Sequence, residues 1–484
     1  KTLRMKNMAT NTKSIPKQKN TYYFIFYLTL SIPLVFLGLI SLNIITLNRS
    51  LLTILGIIAI VIISALAIAD LRKLLLVLVL YIPFSRLLTG DFGTGMWALN
   101  LTNIFLIFII FSLGVEKLKS NISLMPKSSI TIPIILFCLF SAVSFMRGGL
   151  YFGYTYLGHF ISPLKEWLTP ISFFFIFLIA IKDKNDIKRI VTLITLITIG
   201  IAVLVVFEYL SVRGAEDMEK MRIGTIFDQP NDAGAFFVYY SFILIGFFLT
   251  YMHSFKHWLL ILPITVCARA LMYTYSRGAI VAFVCAGLFI AFVKNKLVFV
   301  LLCLLIILAL FNPSILPSSL YKRFSSTFTE DTTIYQQGFE EQFEVSAKTR
   351  LIIWEGAINM IKDNLFFGVG YGVFPYLISS YAPVGKRDAH NTYITITAEL
   401  GIIGMIVFLW IMILIFKNAW FVYKKSNDKF LKAFALGFLA SLVGLLICNI
   451  FGSRLDTQET TGFFWILAAL IFKSKELIKK GASA

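Results

Sequence analysis

The chain is punctuated by apolar runs of about 17–22 residues, the length a helix needs to cross a hydrocarbon core about 30 Å thick. Runs of this kind leave few folds open. Inside a bilayer every backbone N–H and C=O must find a partner, and a single segment can satisfy them all only as a helix. Candidate spans fall at 22–46, 51–69, 74–88, 97–113, 129–146, 168–182, 190–210, 233–252, 257–274, 278–294, 297–311, 398–416, 430–451 and 461–472. The pattern predicts an all-α polytopic membrane protein with about 14 transmembrane helices. Pro83 and Pro170 interrupt the third and sixth spans, which are the weakest of the set. Composition agrees, with 58% hydrophobic and 14% charged residues, where a soluble domain carries about 25% charged. The first run, 22–47, is too long for a signal-peptide core and lacks a small-residue cleavage site, so no cleavable leader is expected.

A net charge of +19 invites a nucleic-acid partner, but the distribution of the charge excludes one. Basic residues collect in short loops between spans, as membrane topology requires. The tail at 1–21 carries Lys1, Arg4, Lys6, Lys13, Lys17 and Lys19, and alternate loops carry Arg72–Lys73, Lys117/Lys119/Lys127, Lys182/Lys184/Lys188/Arg189, Lys294/Lys296 and Lys417/Lys424/Lys425/Lys429. The tail at 473–484 completes that side. Both tails are therefore expected in the cytoplasm. Between them lie a transmembrane bundle at 22–311, a large extracytoplasmic loop at 312–397 and closing transmembrane helices at 398–472. The cysteines 138, 267, 285, 303 and 448 lie in or against apolar spans without CxxC spacing, and the four histidines are scattered, so no metal site is predicted.

The opposite side is rich in arginine rather than lysine: Arg86, Arg147, Arg213, Arg222, Arg277, Arg323, Arg350, Arg387 and Arg454. Topology needs only charge, whereas guanidinium offers a planar fork of donors suited to phosphate or carboxylate. These arginines either bind an anionic ligand or pair with nearby Asp, Glu and lipid headgroups. Arg269, inside the ninth span, must find a partner or snorkel. Within the large loop, 346–364 reads as a helix. Leu351, Trp354, Ala357 and Ile361 recur at helical spacing, Ser346 can cap the start and Gly368 follows the end. Gly368-Val369-Gly370-Tyr371-Gly372 reads as a tight turn, not a phosphate loop, because no strand precedes it and no Lys-Ser/Thr follows. The stretch 330–344 is acidic and polar.

Chemistry is most visible in Lys386-Arg387-Asp388-Ala389-His390-Asn391-Thr392-Tyr393, followed by Glu399-Leu400-Gly401-Ile402-Ile403-Gly404. His390 stands where the chain re-enters the membrane. Imidazole accepts a proton near neutral pH, and Asp388 or Glu399 could orient it. Lys386 and Arg387 would hold an anion close by. The plainer alternative is a histidine satisfied by loop hydrogen bonds or capping the next helix. Tyr275 and the group Tyr151, Tyr154, Tyr156 and Trp167 suit either sugar stacking or the membrane interface.

The run from Arg350 to Gly404 resembles the C-terminal region of the O-antigen ligase and O-antigen polymerase family. The shared features are Arg350 with Trp354, Gly368 with Gly370, His390-Asn391, and Glu399-Leu400-Gly401 with Gly404. Ser276-Arg277-Gly278 and Arg222-Ile223-Gly224 with Pro230-Asn231 are similar to earlier family segments. The resemblance covers roughly 220–450. It implies a GT-C-like bundle in a bacterial inner membrane and a glycosyltransferase that needs neither cofactor nor metal. The donor would be an undecaprenyl-diphosphate-linked oligosaccharide, and the acceptor a glycan chain for a polymerase or lipid A core for a ligase. A third branch transfers glycan to protein. His390 would be the base, and Arg222, Arg277, Arg350 and Arg323 would bind the diphosphate, with Asn391, Asp388, Arg387 and Glu399 in support. Asn391 either orients the histidine or caps the helix. Membrane lipids, a chain-length regulator and a flippase are the partners implied. A transporter or flippase is the competing class; its polar residues and broken helices should lie near mid-membrane, whereas polarity here concentrates at the outer ends of the spans.

Overall fold

A computed structural model describes residues 58, 61–88, 101–120, 126, 128–212, 222–227, 229–312 and 347–482 of the protein. The first predicted span, Arg323 and the acidic stretch 330–344 lie outside these residues. Every regular element described is helical. In chain order the main helices are α1 (Leu71–Tyr81), α2 (Leu101–Ser120), α3 (Thr131–Gly153), α4 (Thr155–Ala180), α5 (Lys184–Val212), α6 (Pro230–Tyr251) and α7 (Ile261–Tyr273). They continue with α8 (Arg277–Lys294), α9 (Lys296–Phe311), α10 (Ala347–Asp363), α11 (Thr392–Lys425), α12 (Lys429–Cys448) and α13 (Gln458–Ala482). Among the described residues, 9 helices are long and apolar enough to cross a membrane. The protein is an all-α, polytopic membrane protein.

Several helix starts follow directly from local sequence. Asp70, Asn295, Asn391 and Asp428 each accept from backbone N–H groups of the turn that follows, which satisfies donors a helix start leaves orphaned. α9 is apolar on every side and buries none of its residues fully, so it has no polar face to keep to water. The tightest packing joins α6 to α12. A Cβ on Gly246 would lie 2.5 Å from the Gly437 nitrogen, and one on Gly437 would lie 2.5 Å from the Phe242 oxygen. Small residues let two membrane helices approach backbone to backbone.

Two departures from the sequence reading share one physical cause. The segment between the expected spans 129–146 and 168–182 is helical rather than a loop, and Pro163 and Pro170 lie inside α4, as membrane helices tolerate. α3 and α4 meet at Gly153, with φ 75° and ψ −169°. In one straight helix Phe145 and Tyr156 would stand about 16 Å apart, yet their ring centroids are 6.3 Å apart. The pair is a hairpin. The same device recurs in α11 at Gly401, φ 75° and ψ 178°. Tyr393 and Phe408 would lie about 22 Å apart in a straight helix, yet their rings are 6.2 Å apart. The chain therefore runs nine residues from 392, reverses at Gly401 and returns alongside itself.

This geometry divides the core in two. The larger part fills the helix bundle. A smaller one, including Phe145, Tyr156, Ile353, Met360, Val373, Phe374 and Ala398, fastens the outer segments onto the α3–α4 hairpin. α10 confirms the expected helix, but its buried face is Ile353, Ala357 and Met360, while Leu351 is 63% exposed. Lysines gather at one end of the bundle, where Lys184 pairs with Asp428 and Lys182 with Glu116. Arg222, Arg277, Arg350, Arg454 and His390 gather at helix starts and loops of the other end.

Candidate active site

The site is assembled at the arginine-bearing end where α6, α8, α10, α11 and the α12–α13 connection meet. Asn449, 1% exposed, organises it. Its side chain accepts from Thr392 Oγ1 at 2.7 Å and from the Arg454 backbone N–H at 3.1 Å, and donates to Tyr239 Oη at 2.8 Å. The Thr392 N–H donates to the Asn449 backbone oxygen at 2.9 Å. One buried amide thus ties the start of α11 to the loop carrying Arg454, and a buried amide satisfied on both its donor and acceptor sides rigidifies its surroundings.

His390 precedes that start. Its backbone is left-handed, φ 47°, and its N–H donates to Asp388 Oδ2 at 3.0 Å. The same oxygen accepts from Ser453 Oγ at 3.2 Å and stands 3.6 Å from His390 Nδ1. That last separation is too long for a hydrogen bond, so Asp388 acts on the ring as a charge. Burial, opposed by Asp388 and reinforced by Arg350, Arg454 and Arg387, holds the imidazole below its ordinary pKa. This setting favours the uncharged imidazole.

Glu399 does not share the orienting role suggested for it. Its carboxylate accepts from the Phe374 N–H at 3.3 Å, at the start of the short helix Phe374–Leu377. Its backbone oxygen accepts from Ser144 Oγ and the Gly370 N–H. The reason is the turn at Gly401, which points this part of α11 at the glycine-rich turn. Asn391 is a cap, its Oδ1 accepting from Tyr393 and Ile394 N–H at 3.0 and 3.2 Å. Trp354 Nε1 donates to the Ala389 oxygen at 2.9 Å, so α10 holds the His390 loop in place.

The arginines reach the site by different routes. Arg350 Nη1 donates to the Phe451 oxygen at 3.4 Å. Gly278, beside Arg277, packs against the Phe451 side chain, bringing the start of α8 to the same residue. Arg222 Nη2 donates to Asn231 Oδ1 at 3.0 Å and its Nε to the Thr274 oxygen at 3.4 Å. Asn231 adjoins Asp232, which pairs with Arg454 at 2.5 Å. Arg269 lies over the Tyr273 ring, 5.7 Å from its centroid, one turn nearer the arginine-bearing end. The three non-glycine residues of positive φ among the described residues are Thr225, Tyr275 and His390, all within three residues of an arginine of this set or the histidine itself. Such strain persists only where surrounding contacts impose it, and it concentrates at functional sites.

A cavity of about 160 Å³ opens beside this cluster. Asp388, Ser453, Asp456, Thr395 and Glu399 supply its polar wall, and Trp167, Tyr371 and Phe160 an aromatic one. Trp167 and Tyr371 stack at 5.3 Å. Asp456 lines the cavity and keeps an exposed surface. Burial and Asp232, opposed by Arg454 and reinforced by Asp388, push its carboxyl up to about 7.

With this geometry in view, one comparison is decisive. Residues 262–409 match the family model described as O-antigen ligase. This stretch of the chain is similar to the O-antigen ligase family. The match takes in Arg277, Arg350, Arg387, Asp388, His390 and Glu399, while Arg222, Asn449, Arg454 and Asp456 lie outside it. No curated protein matches the chain. The similarity supports an O-antigen ligase-type membrane enzyme, and the structure places a histidine beside clustered guanidiniums and an aromatic-walled cavity. Sequence reasoning missed Asn449, Asp232 and Asp456. Asn449 ends an apolar run where a single polar residue carries no pattern, Asp232 and Asp456 stand in short polar segments without a recognisable motif, and Asp232 and Arg454 are 222 residues apart.

Proposed function

We propose that the protein is a metal-independent glycosyltransferase that polymerises polyprenyl-diphosphate-linked oligosaccharide repeat units on the extracytoplasmic face of the bacterial inner membrane. Both tails then lie in the cytoplasm, and the arginine-bearing end faces outward. The acceptor hydroxyl oxygen attacks the anomeric carbon and its proton passes to the free imidazole nitrogen of His390. The bond from that carbon to the diphosphate oxygen breaks, and the diphosphate leaves with the electron pair. Arg350, with Arg277 and Arg222, offsets the charge that develops on it. Arg323 belongs to this proposal as a fourth cation. Asp388 stabilises the imidazolium that forms.

The observation that carries the reading is the position of His390, biased toward the uncharged form by burial and by guanidiniums while facing one carboxylate. A base and a cationic leaving-group site are the two elements this chemistry needs. The family description favours a second reading, in which the same machinery transfers finished glycan to lipid A core. The test is purified protein in nanodiscs with an undecaprenyl-diphosphate oligosaccharide and no added metal. Elongated products are expected from the wild type. His390→Ala should lose about 10²–10³-fold in rate while eluting as a folded monodisperse species. Undiminished turnover in that variant would remove His390 as base, and transfer only to lipid A core would select the ligase.

A further inference from the structure

A second concavity, about 340 Å³, lies on the flank of the bundle near the outer end of α3. Phe140, Val143, Met146 and Leu150 of α3, with Phe367 and Leu400, form its walls. Val143, Met146, Leu150 and Phe367 are 57%, 59%, 88% and 53% exposed, so this is a surface that lipid tails cover. Arg147 lines it too, and its Nε is buried with no hydrogen-bond partner among the described residues. Arg147 stands six residues before the Gly153 turn, about 9 Å along the helix axis, a depth at which lipid phosphates lie. An arginine that merely snorkelled would extend all of its donors into the headgroup layer. Here one is held inside the protein at the groove wall without a partner, and a guanidinium among apolar walls is costly unless an anion meets it.

The groove also touches the active cavity. Leu400 lines both, and Ser144, in the groove, donates to the Glu399 oxygen at 2.8 Å. Gly370 meets the α3 backbone at Gly148, next to Arg147, where an added Cβ would stand 2.7 Å from the Gly148 nitrogen. Arg147 thus stands on the α3 side of the cavity, whereas Arg350 and the start of α8 meet at Phe451. We propose that this groove seats a second polyprenyl-linked substrate, the acceptor, with Arg147 holding its phosphate and the open face of α3 carrying its first isoprene units. Naming the occupant rests on the polymerase reading above. Chain growth then brings two lipid carriers to one cavity from two sides, with Leu400 as the partition between them.

Native mass spectrometry of the full chain in phosphatidylcholine nanodiscs, with undecaprenyl phosphate as probe, tests the site. Two bound probes are expected in the wild type. One is expected in Arg147→Ala and in Val143→Trp, which fills the groove from an exposed position and so leaves folding intact. Millimolar inorganic phosphate should displace neither probe. Unchanged occupancy in both variants overturns the proposal, and so does equal displacement by phosphatidylglycerol, which would make the groove a general seat for anionic lipids. In elongation assays Arg147→Ala should raise the acceptor KM about 10-fold at unchanged kcat. An unchanged acceptor KM in an active enzyme sinks the groove and spares the transfer reading. Loss of one bound probe in Arg147→Ala, with no elongation by the wild type, keeps the groove and sinks the transfer reading.

Discussion

Replacing Asp388 by Asn removes the one carboxylate facing His390 and leaves its shape, so the variant isolates a charge effect. The Nδ1–Oδ2 separation is 3.6 Å. At an effective dielectric of about 20, unit charges at that distance attract by roughly 4–5 kcal/mol. Both side chains are about a third exposed, at 30% and 38%, and solvent-screened pairs retain only about 0.2–1 kcal/mol. A value between these limits, about 1.4–2.8 kcal/mol, corresponds to a 10- to 100-fold loss of kcat. The direction of the pH effect is equally specific. In the proposed mechanism neutral imidazole is the working form, so activity should rise as pH climbs through its pKa. Burial and the three arginines already hold that pKa down, and Asp388 alone opposes them. In Asp388→Asn the acid limb therefore moves to lower pH while the plateau falls. In Arg350→Gln the limb moves to higher pH. Initial rates of lipid-linked oligosaccharide elongation between pH 5 and 9 measure both. A limb that stays put in both variants, or moves the same way in both, refutes His390 as the titrating base.

Gly401→Ala should disrupt the re-entrant start of α11, because its Cβ would lie 2.1 Å from the Phe366 oxygen in a φ/ψ region essentially reserved for glycine. A loss of about 3 kcal/mol or more is expected, read as a lower detergent melting temperature and loss of activity. Wild-type melting would contradict the turn. Asp232→Ala leaves the guanidinium of Arg454, 10% exposed, without its carboxylate, at about 3–5 kcal/mol. The Asp232→Ala/Arg454→Met double variant should recover much of that in the same melting assay, and a double variant no more stable than the single one would show that the pair is not the source of the loss.

Much of the candidate site was legible in the chain because its histidine loop is built from contiguous residues. Asp388 and His390 are two apart, and the chain between them closes on itself, so the histidine loop could be picked out without a fold. Asn391 could be read as a cap for the same reason. Of the two acids that could orient His390, Asp388 faces it and Glu399 meets the Phe374 N–H, because linear proximity says nothing about direction in a helix that doubles back.

The sequence by itself determined that the chain crosses a membrane many times, which end carries lysine and which arginine, and that a histidine with basic neighbours stands at a re-entry point. These are properties of segment length, composition and local spacing, and the cost of burying a bare backbone in hydrocarbon enforces them whatever the packing. Tertiary structure alone decided that Gly153 and Gly401 fold helices back on themselves, that Asn449 joins α11 to the loop bearing Arg454, and that Asp232 rather than a nearer acid meets that arginine. Those outcomes depend on which helix faces touch. Interhelical contacts in lipid are set by close packing and by isolated polar groups finding partners far along the chain, and neither leaves a periodic trace in one sequence.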